Sequence, residues 1–161
     1  MTMTNYTLEE KDSFIVLGFG TELTSDYTDS AGLNKEKADF WQAFSQDGRL
    51  DALKAIAIND YVFAVNEAVN SKMMHYAGVM TEEAASEEAR VIQFPKGKYL
   101  VVKGEGKTAG ELENKLTGIA FGQVLPEAKD FAYVGGPNAT VEMGQRNGLV
   151  FGEMWIPVVG K

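Results

Sequence analysis

The chain has 161 residues, 45% of them hydrophobic and 24% charged, with a formal charge of −8; this balance fits one soluble globular domain able to bury its own core. It contains no cysteine, which removes disulfides, thiolate metal sites and cysteine nucleophiles together. Scattered basic residues on an acidic chain exclude the clustered Lys and Arg that nucleic acids and anionic membranes require.

In chain order, "MTMTNYTLEEKD" lacks the basic and apolar regions of a signal peptide. No later apolar run reaches the ~20 residues needed to span a bilayer, so the expected location is the cytoplasm. "SFIVLGFGTEL" predicts a strand from about Phe14 to Phe19. "KEKADFWQAFSQ" spaces Phe40, Trp41 and Phe44 as an amphipathic helix does, ending near Asp47-Gly48, and a short helix follows over Arg49 to Ile56. "DYVFAVNEAV" and "KMMHYAGVMT" read as paired strands around Asn70-Ser71. "TEEAASEEA" reads as a solvated linker. "ARVIQF" and "KYLVVKGEG" are extended, and "TAGELENKLTGIAFGQVL" is a helix ending before Pro126. "FAYVGG" is a strand, and "NATVEMGQRNGLVFGEMWIPVVGK" forms a hairpin around Asn147-Gly148.

The order strand, helix, strand, strand occurs twice, over about 14–81 and 91–158. "MMHYAGVM" resembles "GEMWIPVV", so Tyr76 and Trp155 occupy corresponding places. Two such units around a pseudo-two-fold axis give one α+β domain with antiparallel sheets over residues 1–161, and the seam between units is a natural cleft.

Glu142 stands out as a carboxylate in the middle of an otherwise apolar hairpin. Either it faces water or a cationic or polar group comes to it, because a buried unpaired charge is expensive. Glu153 is a second carboxylate two residues before Trp155. His75 is the single histidine, without the neighbours a metal site needs, and alternation puts it on the face opposite Tyr76. No G-x-S-x-G is present, and the glycines of "KGEGKTAG" lack phosphate-loop spacing.

"VIQFPKGKYLVVKGEG", then a helix running into "FGQVLPEA", then "VEM" and "EMWIPV", with "DFWQAF" and "HYAGV" earlier, resembles the GyrI-like (gyrase-inhibitor-like) effector-binding domain. The same domain forms the drug-sensing half of some AraC- and MerR-type transcription regulators. The resemblance covers nearly the whole chain and implies two pseudo-symmetric strand-helix-strand-strand modules. It also implies a cleft for bulky hydrophobic compounds, cationic aromatic ones among them, in which the family's penultimate-strand glutamate matches Glu142. The aromatic before the family's "IPV" matches Trp155, whereas the aromatic that many relatives carry before the glutamate is here Val141. Trp155, Tyr76 and Trp41 are expected to wall one cleft around Glu142.

Three functions follow as alternatives. One is a stand-alone receptor or sequestering protein with no cofactor or metal. Another is a hydrolase of cyclopropane-bearing natural products with Glu142 as catalytic base. The last is an inhibitor of a partner protein, of gyrase type.

Overall fold

The computed structural model describes residues 6–25, 28–69, 71–82, 90–133 and 137–160. Runs of β-branched and aromatic residues form strands β1 (Tyr6–Lys11), β2 (Phe14–Leu23), β3 (Val62–Val69), β4 (Lys72–Thr81), β5 (Arg90–Phe94), β6 (Gly97–Gly106), β7 (Phe131–Tyr133), β8 (Asn138–Arg146) and β9 (Leu149–Gly160). The helices are α1 (Ser30–Gln46), α2 (Arg49–Lys54), α3 (Ala109–Ile119) and α4 (Leu125–Glu127).

Local chemistry sets the ends of these elements. The Asp29 carboxylate accepts from the Gly32 N–H at 3.0 Å to cap α1, and the Thr108 hydroxyl accepts from the Glu111 N–H at 3.1 Å to cap α3. Each satisfies one of the amides a helix start leaves open. Asn147 and Gly148 both hold positive φ, 55° and 77°, as a two-residue hairpin between β8 and β9 needs.

Several boundaries differ from the sequence expectation. β2 runs to Leu23, beyond Phe19, and α1 starts at Ser30 in "SAGLN". α3 ends at Ile119, but the helical run does not stop before Pro126. A π-helical turn over Ala120–Val124 resets the register, so Pro126 falls in the first turn of α4, where a missing N–H breaks no helical bond. β1 was not anticipated at all. Of the expected linker "TEEAASEEA", residues 83–89 lie outside the described residues, and Thr81 is the last residue of β4.

Among the described residues the nine strands belong to one sheet, ordered β1-β6-β9-β8-β3-β4-β2-β5, with β7 pairing along β9. The pairings are antiparallel. The two halves of the chain are interleaved in this sheet. β3 meets β8 at its middle, while β1 pairs with β6 and β5 with β2, each beside a strand of the other half.

On the helix-bearing face, α1 and α2 pack Phe44 and Leu53 against Leu17, Ala77 and Val79 of β2 and β4. α3 packs Leu112 and Leu116 against Leu100, Met154 and Ile156 of β6 and β9. The opposite face buries Val16, Phe63, Tyr76, Phe94, Tyr99 and Trp155 as one aromatic-rich core. Phe14 closes that core, stacking on Phe94 at 4.7 Å and meeting the Trp155 ring edge-on at 5.7 Å. The helices sit over the outer strands of each half, and β3 and β8 run between them.

Candidate functional site

The gap between α1 and α3 is a cleft of about 540 Å³, with β3 and β8 as its floor. Register places the floor residues. Val62 lies opposite Glu142 and Ala64 opposite Thr140 across the β3–β8 junction. Trp41, Lys37 and Gln42 line the cleft from α1, Leu50 and Lys54 from α2, and Leu112 and Glu113 from α3.

Glu142 is half-buried on this floor. On its β9 side the partner is Gly152, where a Cβ would overlap the Val141 carbonyl oxygen. No side chain from β9 therefore stands beside the carboxylate. Among the described residues Glu142 makes no ion pair. Burial pushes its carboxyl above the usual carboxylate range, and the field of Lys54 offsets part of that rise. The other cleft carboxylate is satisfied: Glu113 binds Lys37 at 2.8 Å, tying the α3 wall to the α1 wall.

Trp41 is held from behind. Its indole N–H donates to His75 Nε2 at 2.9 Å. That bond leaves the His75 proton on Nδ1, which donates to Asn66 Oδ1 at 2.8 Å. Asn66 reaches Asn138 at 3.5 Å, and Asn138 in turn donates to the Tyr133 hydroxyl at 3.3 Å. His75 is fully buried, and burial lowers its pKa to about 4. The ring is thus neutral at pH 7 and fully engaged. With its N–H bound to His75, Trp41 offers the cleft carbon surface, which suits an apolar or cationic guest.

The expected quartet divides between the two faces of the sheet. Glu142 and Trp41 meet at the cleft. Tyr76 and Trp155 do not line it: with Val65 and Ala139 they form one cross-strand row, Tyr76–Val65–Ala139–Trp155, on the opposite face. Trp155 and Gly152, the partner of Glu142, are three positions apart on one strand, and an odd separation puts side chains on opposite faces. Trp155 packs edge-on against Phe14 and Phe63 at 5.7 and 5.6 Å and lies under the Lys11 ammonium at 3.9 Å. Glu153 accepts from the Trp155 indole N–H at 2.8 Å, so this second carboxylate also lies away from the cleft. The single expected site with four walls is corrected to a cleft holding two of them and a core holding the others.

Thr140 went unnoticed in the sequence. It lines the cleft between Glu142 and the asparagine pair, is only 4% exposed, and its hydroxyl oxygen is buried without a hydrogen-bond partner. Lys37 and Glu113 were missed as well; they lie 76 positions apart, and no local pattern links them.

Residues 7–158 match the family described as Cass2, integron-associated effector binding protein. The chain belongs to the Cass2 family. No curated relative matches it. The Cass2 assignment agrees with the GyrI-like effector-binding resemblance read from the sequence, and solved structures share the fold. SAV2435 bound to tetraphenylphosphonium superposes with a TM-score of 0.78 at 18% identity, over 96% of this chain and 94% of that one. The integron cassette protein VCH_CASS2 from the mobile metagenome of Vibrio cholerae gives 0.63 at 13% identity, over 96% and 95%. The C-terminal domain of EcmrR gives 0.62 at 12% identity, over 98% and 99%. At these identities the likeness is one of fold.

Proposed function

We propose that this Cass2-family chain is a receptor for bulky hydrophobic small molecules carrying a positive charge, bound in the cleft between α1 and α3 with Glu142 as counter-charge. The observation that carries the reading is Glu142 itself. A half-buried carboxylate with its pKa raised by burial and no ion-pair partner among the described residues is poised to gain from a cation. The two lysines and two glutamates lining the cleft cancel formally; the Lys37–Glu113 pair consumes one of each and leaves Glu142, more buried than the Lys54 ammonium that partly offsets its charge. Cation preference then depends on Glu142 rather than on the charge of the whole chain. Trp41 supports it with an aromatic surface whose N–H is already occupied. That SAV2435 holds tetraphenylphosphonium in the same fold supports the choice of ligand class.

A hydrolase needs a second group to move protons at the reacting atom; Glu113 is engaged with Lys37 and His75 with Trp41 and Asn66, which leaves Lys54, an ammonium rather than a base at neutral pH. Binding without turnover is therefore the function proposed. The test is calorimetric titration with tetraphenylphosphonium against wild type and Glu142→Gln, with mass analysis of an electrophilic cyclopropane probe in parallel. Weakening of the cation by roughly 1–3 kcal/mol in the variant, the scale of a lost charged interaction, with no product formed, is the expected result. Unchanged affinity in Glu142→Gln would remove the glutamate from the site. Product formed by wild type but not by the variant would replace the receptor reading with the hydrolase.

A further inference from the structure

Thr140 lies two residues before Glu142 on β8, so both side chains leave the same face of the sheet. Its cross-strand neighbours are Ala64 on β3 and Met154 on β9, and neither offers an oxygen or nitrogen. Asn138, the next residue on this face, is already bonded to Asn66 and Tyr133. The Thr140 hydroxyl is thus buried beside the one carboxylate of the cleft floor, with nothing to bond among the described residues. Buried polar groups are almost always paired in folded proteins, and an orphan calls for a role.

We propose that Thr140 is a specificity-determining residue of this cleft: its hydroxyl donates to an oxygen on the ligand. The preferred ligands are then ammonium compounds carrying a hydrogen-bond acceptor roughly 7 Å from the charge, the spacing of alternate residues on a strand. This rests on the receptor reading above and narrows its ligand class. Permanent cations without a polar group satisfy Glu142 and leave Thr140 orphaned; an aminoketone or amino-ester of the right length satisfies both. Thr140 lines the cleft while its oxygen is covered, and one staggered step about χ1 exchanges the hydroxyl with another substituent position on Cβ. No backbone movement is required.

A matched pair of probes tests this: a valerophenone with a piperidine on its terminal carbon, whose extended chain sets the ketone oxygen roughly 7 Å from the nitrogen, and the same molecule with the ketone reduced to a methylene. Both carry the ammonium and the aromatic ring, and only the first carries the acceptor. Titrations are run on wild type, Thr140→Val and Thr140→Ser. Wild type and Thr140→Ser should bind the ketone roughly three- to tenfold more tightly than its methylene analogue, the range of a net hydrogen bond. Thr140→Val should bind both alike, at the wild-type affinity for the methylene analogue. A ketone preference that survives in Thr140→Val overturns the assignment, as does an equal loss of both probes, which would mark a packing role only. If wild type binds both probes without preference, the hydroxyl assignment fails and the receptor reading stands. If neither binds, both fall.

Discussion

Thr140→Val should stabilise the ligand-free protein. Valine matches threonine in shape, keeps the β-branch that suits a strand, and removes the hydroxyl whose oxygen has no partner at 4% residue exposure. Leaving a buried polar group unsatisfied costs about 1–3 kcal/mol. The exchange should therefore return ~1–2 kcal/mol, since some of that cost reappears as imperfect packing around the new methyl. For a domain of this size each kcal/mol moves the melting midpoint by roughly 2–4 °C, so calorimetry at pH 7 should show a clear rise. Urea unfolding should show a higher midpoint with an unchanged slope, the signature of a stability change rather than an altered unfolded state. Thr140→Ser, which keeps the oxygen and loses the methyl, should move in the opposite direction. A Thr140→Val protein that is less stable than wild type would mean that the hydroxyl is bonded in solution, and the specificity argument would lose its foundation.

Two further outcomes concern pH. The Glu36 carboxylate accepts from the Thr24 N–H and hydroxyl at 2.9 and 2.7 Å and from the Ser25 N–H at 3.0 Å. These bonds, the Thr24 amide first, hold its pKa down to about 2 from an ordinary 4.5. A depressed acid adds stability above its unfolded pKa and loses it as pH falls from about 4.5 towards 2, so Glu36→Gln should flatten that part of the acid-unfolding curve. His75 is a base depressed from 6.5 to about 4. The unfolded chain binds its proton first, so this contribution is complete above pH 6.5 and is lost as pH falls towards 4. His75→Leu should remove the loss and release the Trp41 N–H, read as a change in tryptophan emission and weaker tetraphenylphosphonium binding. Emission and affinity both unchanged would show that Trp41 is positioned without His75.

Much of the architecture was legible because periodicity is a local property. "DFWQAF" announces α1 and Asn147-Gly148 announces the last hairpin whatever surrounds them. β1 was not legible: "YTLEEK" alternates weakly and lies at an exposed sheet edge, where no burial imposes a pattern. Alternation also places Trp155 relative to Glu153 but does not say which face of the sheet the helices cover. Tyr76 and Trp155 went to the wrong face for that reason. They share one cross-strand row on either side of β3 and β8. Glu142 was legible because a carboxylate among apolar residues contradicts its surroundings. Thr140 was not, since a threonine in a strand is ordinary until its partners are known.

The junction beneath the cleft has a mechanical meaning. Five residue pairs, from Val62–Glu142 to Asn66–Asn138, join β3 to β8 at the middle of the sheet, and on the helix side above them the Lys37–Glu113 pair spans the walls. Strands are also exchanged across this line: β1 crosses to pair with β6 and β5 crosses to pair with β2. Load across β3 and β8 should therefore meet crossed chain as well as sheet hydrogen bonds. A guest lodged between α1 and α3 would act as a rivet there, raising the force at which the cleft walls separate.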